Sequence, residues 1–284
     1  MSKNSAKNDN LFVFATKTPW QFICVVILYA IGAVSFPTSI IAKIFGGSEI
    51  ANMLSIFISR IICCILPIWL IFEIKNQKIL SLNKFFSLSL IALPFFIVVI
   101  NNFPIVGIID GSVTFNPNND FIKWVCYILV VLGGVLIEEL TFRGLILPTL
   151  YRRYKAKNNS IFLTVFVQSI LFGLVHIVNL LAGSSFSAVL MQVGYSFLIG
   201  ATCGIAFIKT GNFYSAVTLH FIFNFGGLLY DYNMISGNIW SPLSIVLTVI
   251  IAILGIIYAL YLVFFNKKDK LNEILLLENE ENEF

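Results

Sequence analysis

Eight long apolar runs set the limits on what this chain can fold into: residues 20–36, 52–72, 85–100, 121–150, 161–181, 186–208, 213–230 and 241–265. A helix needs roughly 20 mostly apolar residues to cross a hydrocarbon core of about 30 Å. Read this way, the chain is an all-α polytopic membrane protein, a bundle of eight transmembrane helices. Composition agrees, with 58% hydrophobic and only 11% charged residues among 284, where a soluble domain carries about 25% charged. That balance excludes a disordered chain, a nucleic-acid-binding surface and an ordinary cytosolic enzyme. The first run resembles a signal peptide, but no small-residue cleavage site follows it, so it reads as a retained signal anchor. The five cysteines (Cys24, Cys63, Cys64, Cys126, Cys203) all lie inside apolar runs. They read as small core residues, with neither a disulfide framework nor a metal-binding spacing.

Lys and Arg placement sets the orientation. With the N-terminus inside, fourteen basic residues are cytoplasmic: Lys3, Lys7, Lys17, Lys75, Lys78, Lys84, Arg152, Arg153, Lys155, Lys157, Lys209, Lys267, Lys268 and Lys270. Only Lys43 and Lys123 lie outside, and Arg60 and Arg143 fall within spans. The expectation is N-in and C-in. Residues 1–19 form a cytoplasmic N-terminus, 20–265 one membrane domain, and 266–284 a cytoplasmic acidic tail. The segment 101–120 reads as an external surface loop, and the location as a multi-pass protein of a bacterial plasma membrane.

Inside the spans a few polar residues stand out. Glu138 and Glu139 are the acidic residues deep within an apolar run, and both histidines, His176 and His220, are also in spans. A charge at the bilayer centre costs about 2.5–3.5 kcal/mol on insertion scales, so such residues face a partner or a water-filled cavity. At 1.5 Å per helical residue, Glu138 and His176 lie about 21 and 22 Å from the cytoplasmic ends of their helices. His220 and Asn224 lie about 12 and 18 Å from theirs. Three helices thus bring polar groups to overlapping depths.

Helical spacing assigns faces. Glu139 and Arg143 are at i, i+4 and can pair, relieving both charges; Glu138 points elsewhere and has no local partner. His220 and Asn224 share a face, as do Phe172 and His176, whose ring can wall the imidazole's pocket. Arg60 has no evident partner and reads as snorkelling or interhelical. Gly200 and Gly204 form a small-xxx-small pattern for close packing, with a dimer face as the alternative.

The runs Glu138-Glu139-Leu140-Thr141-Phe142-Arg143-Gly144, Phe172-Gly173-Leu174-Val175-His176 and His220-Phe221-Ile222-Phe223-Asn224 follow the patterns EExxxRG, FxxxH and HxxxN. In this order on membrane helices they resemble the three motifs of the CPBP family, the CAAX protease and bacteriocin-processing family also called Abi. Thr210-Gly211-Asn212 also fits, and the resemblance covers about residues 120–230. It implies an intramembrane glutamic endopeptidase on an eight-helix architecture. Glu138 and His176 would activate the hydrolytic water, His220 and Asn224 would stabilise the oxyanion, and Glu139, Arg143 and Phe172 would support the site. The substrate would be a membrane-associated peptide or a lipidated protein, in peptide processing or bacteriocin self-immunity. Partners would be lipids and that substrate, with no nucleic acid, and homo-oligomerisation stays open.

No GxSxG motif accompanies these residues, which argues against a serine mechanism, and no Asp lies within a span. The expected chemistry needs no cofactor. A zinc-dependent CAAX-type metalloprotease is the chemical alternative, since two His and a Glu can bind Zn²⁺, although HExxH is absent. A non-catalytic immunity or regulatory protein and a proton-coupled carrier are alternatives from other classes; the carrier lacks the internal repeat that transporters often show.

Overall fold

The computed structural model describes residues 3–81, 92–238, 240–265 and 270–271. The helices are α1 (Lys3–Lys17), α2 (Pro19–Val34), α3 (Thr38–Ile44), α4 (Glu49–Glu73), α5 (Leu93–Ile100), α6 (Ile105–Ile109), α7 (Phe121–Glu139), α8 (Leu147–Tyr154), α9 (Ser160–Leu174), α10 (Phe186–Thr210), α11 (Phe213–Gly227) and α12 (Pro242–Phe264). A π-helical turn, Leu140–Ile146, joins α7 to α8, and a 3₁₀ segment, Val175–Leu180, continues α9. Helix starts follow side-chain chemistry. Ser48, Asp120, Ser185 and Ser241 each accept a hydrogen bond from the amide three residues on, satisfying a donor the helix cannot.

Six helical stretches among the described residues are long and apolar enough to span a membrane: Pro19–Ile44, Glu49–Glu73, Phe121–Tyr154, Ser160–Leu180, Phe186–Thr210 and Pro242–Phe264. The chain is a multi-pass membrane protein. Two of the eight expected runs do not reach that length. Of the run 85–100, residues 85–91 lie outside the described residues and only α5 with Ala92 remains; α11 has 15 residues. Most of the expected acidic tail, and Lys84, Lys267 and Lys268, also lie outside them.

Three features depart from the sequence reading. First, the N-terminal segment is helical: α1 packs against α2, α4 and α8, with Phe12 under the Lys75 ammonium (4.9 Å) and the Arg152 guanidinium (5.6 Å). Second, the all-α expectation misses a small antiparallel sheet. β1 (Val113–Phe115) in the expected surface loop pairs with β2 (Ile235–Gly237). Gly237 has φ +115°, and a Cβ there would run into the Ser112 carbonyl, so only glycine closes this pairing. Third, Lys209, counted as a cytoplasmic charge, is fully buried.

Helices α4 and α7 run parallel with constant offset. Glu49 meets Lys123 at 2.9 Å, Phe57 and Arg60 pack on Gly133, and Ile71 packs on Gly144. The α9–α10 pair is equally close. A Cβ on Gly173 would sit 2.8 Å from the Val193 carbonyl, one on Gly200 3.2 Å from the Phe172 ring, and one on Gly204 2.8 Å from Gln168 Oε1. The Gly200/Gly204 pair therefore serves close packing within the chain, as expected.

Candidate active site

The first motif sits where the helix changes pitch. Pro148 has no N–H to give the Gly144 carbonyl four residues back, and Asn76, buried in the turn after α4, donates to that carbonyl instead at 3.2 Å. Asn76 Oδ1 in turn accepts from Arg152 at 2.6 Å. The π turn over residues 140–146 lies directly after Glu138 and Glu139, and such turns concentrate at functional sites.

Glu139 and Arg143 are fully buried and paired at 2.7 Å. The second Arg143 nitrogen donates to the Gly200 carbonyl on α10 at 2.9 Å, and the guanidinium lies 5.0 Å from the Phe172 ring centroid. The same Glu139 oxygen that takes the Arg143 bond also takes His220 Nδ1 at 2.7 Å. The other face of that imidazole meets Glu138: Nε2 is 3.5 Å from Oε2. His220 is therefore held between the two glutamates, with Glu139 buried and the Glu138 side chain 23% exposed.

Phe172 joins the second and third motifs. Its ring contacts the His176 and His220 imidazoles edge-on, at 5.5 and 5.6 Å between centroids. His176 is the second residue of the 3₁₀ segment, and its Nδ1 lies 2.9 Å from the Phe172 carbonyl. A carbonyl only accepts, so Nδ1 carries a proton, and in the neutral ring Nε2 is then the acceptor. His176 makes no hydrogen bond to Glu138 among the described residues; Phe172 is its link to the site.

The third motif depends on a two-residue turn. Gly211, in the left-handed region at φ 62°, ends α10, and Asn212 caps α11 by accepting from the Tyr214 amide at 3.0 Å. This places His220 and Asn224 one turn apart on α11, which packs against α7, α10 and α5. The Asn224 side-chain amide has no hydrogen-bond partner among the described residues. Among those residues, no group of three or more His, Cys, Asp or Glu side chains is placed to hold a metal ion.

With the six spans, the buried Glu–Arg pair and the bracketed histidine in place, the comparison with known families is decisive for the central segment. Residues 120–226 match the model for Rce1-like proteins, type II CAAX prenyl endopeptidase Rce1-like. This segment is similar to the Rce1-like family. The match bears out the CPBP resemblance and encloses all three motifs. Neither the curated proteins nor the solved structures give a match.

Sequence reasoning on the Rce1-like segment missed the bond between His220 and Glu139, 81 residues apart, because helical spacing cannot say which neighbouring helix a face meets. Arg60, outside that segment, reads in the sequence as snorkelling or interhelical. That guanidinium donates to the Val34 carbonyl at 2.8 Å, an interhelical bond as expected. The signal for it was present: a basic residue within a span with no local partner.

Proposed function

We propose that this protein is an intramembrane endopeptidase that cleaves membrane-associated peptides or lipidated proteins with a glutamate-activated water. The observation that carries this reading is the His220 imidazole held between Glu138 and Glu139, in a segment that is Rce1-like. In the proposed reaction Glu138 takes one proton from water, while the lone pair on His176 Nε2 accepts the water's other hydrogen. The water oxygen forms a bond to the scissile carbonyl carbon, and the carbonyl electron pair moves onto oxygen. That oxyanion accepts from the Asn224 amide and from His220 Nε2–H. Collapse then breaks the C–N bond, and the proton held by Glu138 goes to the leaving amine.

Glu139 stabilises the imidazolium form of His220 through Nδ1–H, much as a triad carboxylate does. Arg143 and the Gly200 carbonyl hold Glu139 in place. No step is routed through a metal.

The same reading takes the protein as crossing the membrane eight times with both termini cytoplasmic, in a bacterial plasma membrane. Its role there would be peptide processing or bacteriocin self-immunity.

The test uses the purified full chain in detergent with a peptide library. Glu138→Gln and Glu138→Ala should melt like the wild type yet cleave at least about 10³-fold more slowly, with chelator leaving the wild type unaffected. Loss of wild-type activity in chelator with recovery on adding Zn²⁺ replaces the glutamic mechanism with a zinc-dependent one. Cells in which Glu138→Gln retains the full phenotype identify a non-catalytic regulatory protein.

A further inference from the structure

Asn224 lies in the last turn of α11, and the backbone on either side of it is held from outside the helix. The Asn102 side-chain amide, just after α5, donates to the Phe223 carbonyl at 2.7 Å. The Tyr127 hydroxyl, on α7, donates to the Phe225 carbonyl. Because α11 stops at Gly227, the Phe225 carbonyl has no amide four residues on within the helix, and Tyr127 takes that place. Residues two apart stand about 200° from each other round a helix axis. The two bonds therefore grip the turn from nearly opposite sides, with Asn224 between them in sequence.

Both grips are built into the packing. Tyr127 is fully buried, its ring packed on Phe225 at 5.0 Å and on Tyr232 at 5.6 Å between centroids. Asn102 reaches the turn because Gly227 has no side chain: a Cβ there would stand 2.3 Å from Asn102 Nδ2. A Cβ on Gly226 would stand 2.5 Å from the Phe103 ring. Glycine is a poor helix former, and these two admit Asn102 and Phe103. Asn101, beside them, donates to Thr248 Oγ1 on α12 at 3.0 Å, so the segment that holds the turn is itself anchored.

Building on the endopeptidase reading above, we infer that Tyr127 and Asn102 are positioning residues, which fix the rotation of the last turn of α11 and so aim the Asn224 amide at the oxyanion. An oxyanion donor counts only where its N–H meets the charge as it develops, and removing one costs about 10²–10³ in kcat. The Asn224 amide has no bond of its own among the described residues, so its direction comes from the backbone beneath it. A turn free to rotate spreads that direction without unfolding the site.

The experiment measures kcat and KM for Tyr127→Phe, Asn102→Ala and Gly227→Ala, each alone and combined with Asn224→Ala, on the full chain in detergent. Tyr127→Phe removes one oxygen and keeps the ring. Gly227→Ala displaces Asn102 while putting a better helix former in place of glycine. Each single substitution should lower kcat about tenfold, less than loss of the donor itself, with KM little changed. In the Asn224→Ala background there is no amide to aim, and the same substitutions should change kcat by less than about twofold. Equal slowing with and without Asn224, or slowing carried by KM, overturns the inference and leaves Tyr127 and Asn102 as packing residues. Hydrogen–deuterium exchange reads the grip without cleavage. The Leu228 amide, which bonds to the Asn224 carbonyl at 2.9 Å, should exchange faster in Tyr127→Phe and Asn102→Ala than in wild type. Unchanged exchange overturns the grip whether or not the protein hydrolyses peptides. Faster exchange in a chain that cleaves no peptide upholds the grip and overturns the endopeptidase reading alone.

Discussion

One oxygen of Glu139 takes a bond from Arg143 and another from His220, while its second oxygen is buried without a partner. The pair is thus tied to the site through the imidazole and is more than an internal neutralisation. Removing one member of a buried ion pair leaves the other uncompensated and typically costs about 3–5 kcal/mol. Arg143→Met should lose stability on that scale in a denaturant titration of the detergent-solubilised protein. Arg143→Lys should fall between it and wild type, because an ammonium cannot span Glu139 Oε1 and the Gly200 carbonyl with a planar fork. The i, i+4 spacing made the Glu139–Arg143 contact legible in the sequence, as it did the shared faces of Phe172 with His176 and of His220 with Asn224. The contact from His220 to Glu139 was not legible, nor was the placing of His220 between two carboxylates, since both depend on how α11 is rotated against α7.

At the scale of elements, two prolines within spans explain much of the local geometry. Pro67 in α4 cannot donate to the Cys63 carbonyl, and Tyr29 on α2 donates its hydroxyl there at 2.6 Å. Pro148 leaves the Gly144 carbonyl in the same condition, and Asn76 serves it. Each break in a helix's own hydrogen bonding is repaired by a side chain from another element, which is how membrane helices tolerate proline. The partners lie 34 and 68 residues away, and nothing local in the sequence marks them. Tyr29→Phe should destabilise by about 1–2 kcal/mol through the unpaired carbonyl, with little change in activity. Asn76→Ala should cost about 1–3 kcal/mol and also slow cleavage, because it loosens the segment that follows Glu138 and Glu139; thermal melts and rates on the same preparations separate the two effects. Gly173→Ala tests the α9–α10 seam. Its Cβ would press on the Val193 backbone carbonyl, which has little freedom to move, so about 1–3 kcal/mol of overpacking strain is expected. Its neighbour Phe172 and the histidines it touches should shift with it, lowering kcat.

For the whole molecule, the contacts between elements bear on the proposed eight crossings. Because α4 and α7 are parallel, the chain leaves α4 at one end of the bundle and enters α7 at the other, and α5 lies between them in sequence. Helix α11 is bonded at its start to the turn after α4, through the Tyr214 hydroxyl and the Leu80 carbonyl. Beyond its end, the Met234 carbonyl accepts from the Asn116 amide, just before the start of α7. Its 15 residues rise about 22 Å, and it packs against α7, α10 and α5. Lys270 donates to the Ile208 carbonyl near the end of α10, while Phe12 sits under Lys75 and Arg152. Phe12 and Lys270 therefore lie at the end of the bundle where α4 finishes and α11 begins, in keeping with the proposed even number of crossings. In the proposed orientation that end is the cytoplasmic one, by its excess of Lys and Arg. In a cysteine-free background, Asn118→Cys should react with a membrane-impermeant maleimide in intact cells, and Lys157→Cys only after permeabilisation. The reverse pattern would invert the orientation, and labelling of both in intact cells would break the parallel alignment of α4 with α7 on which the count of eight depends.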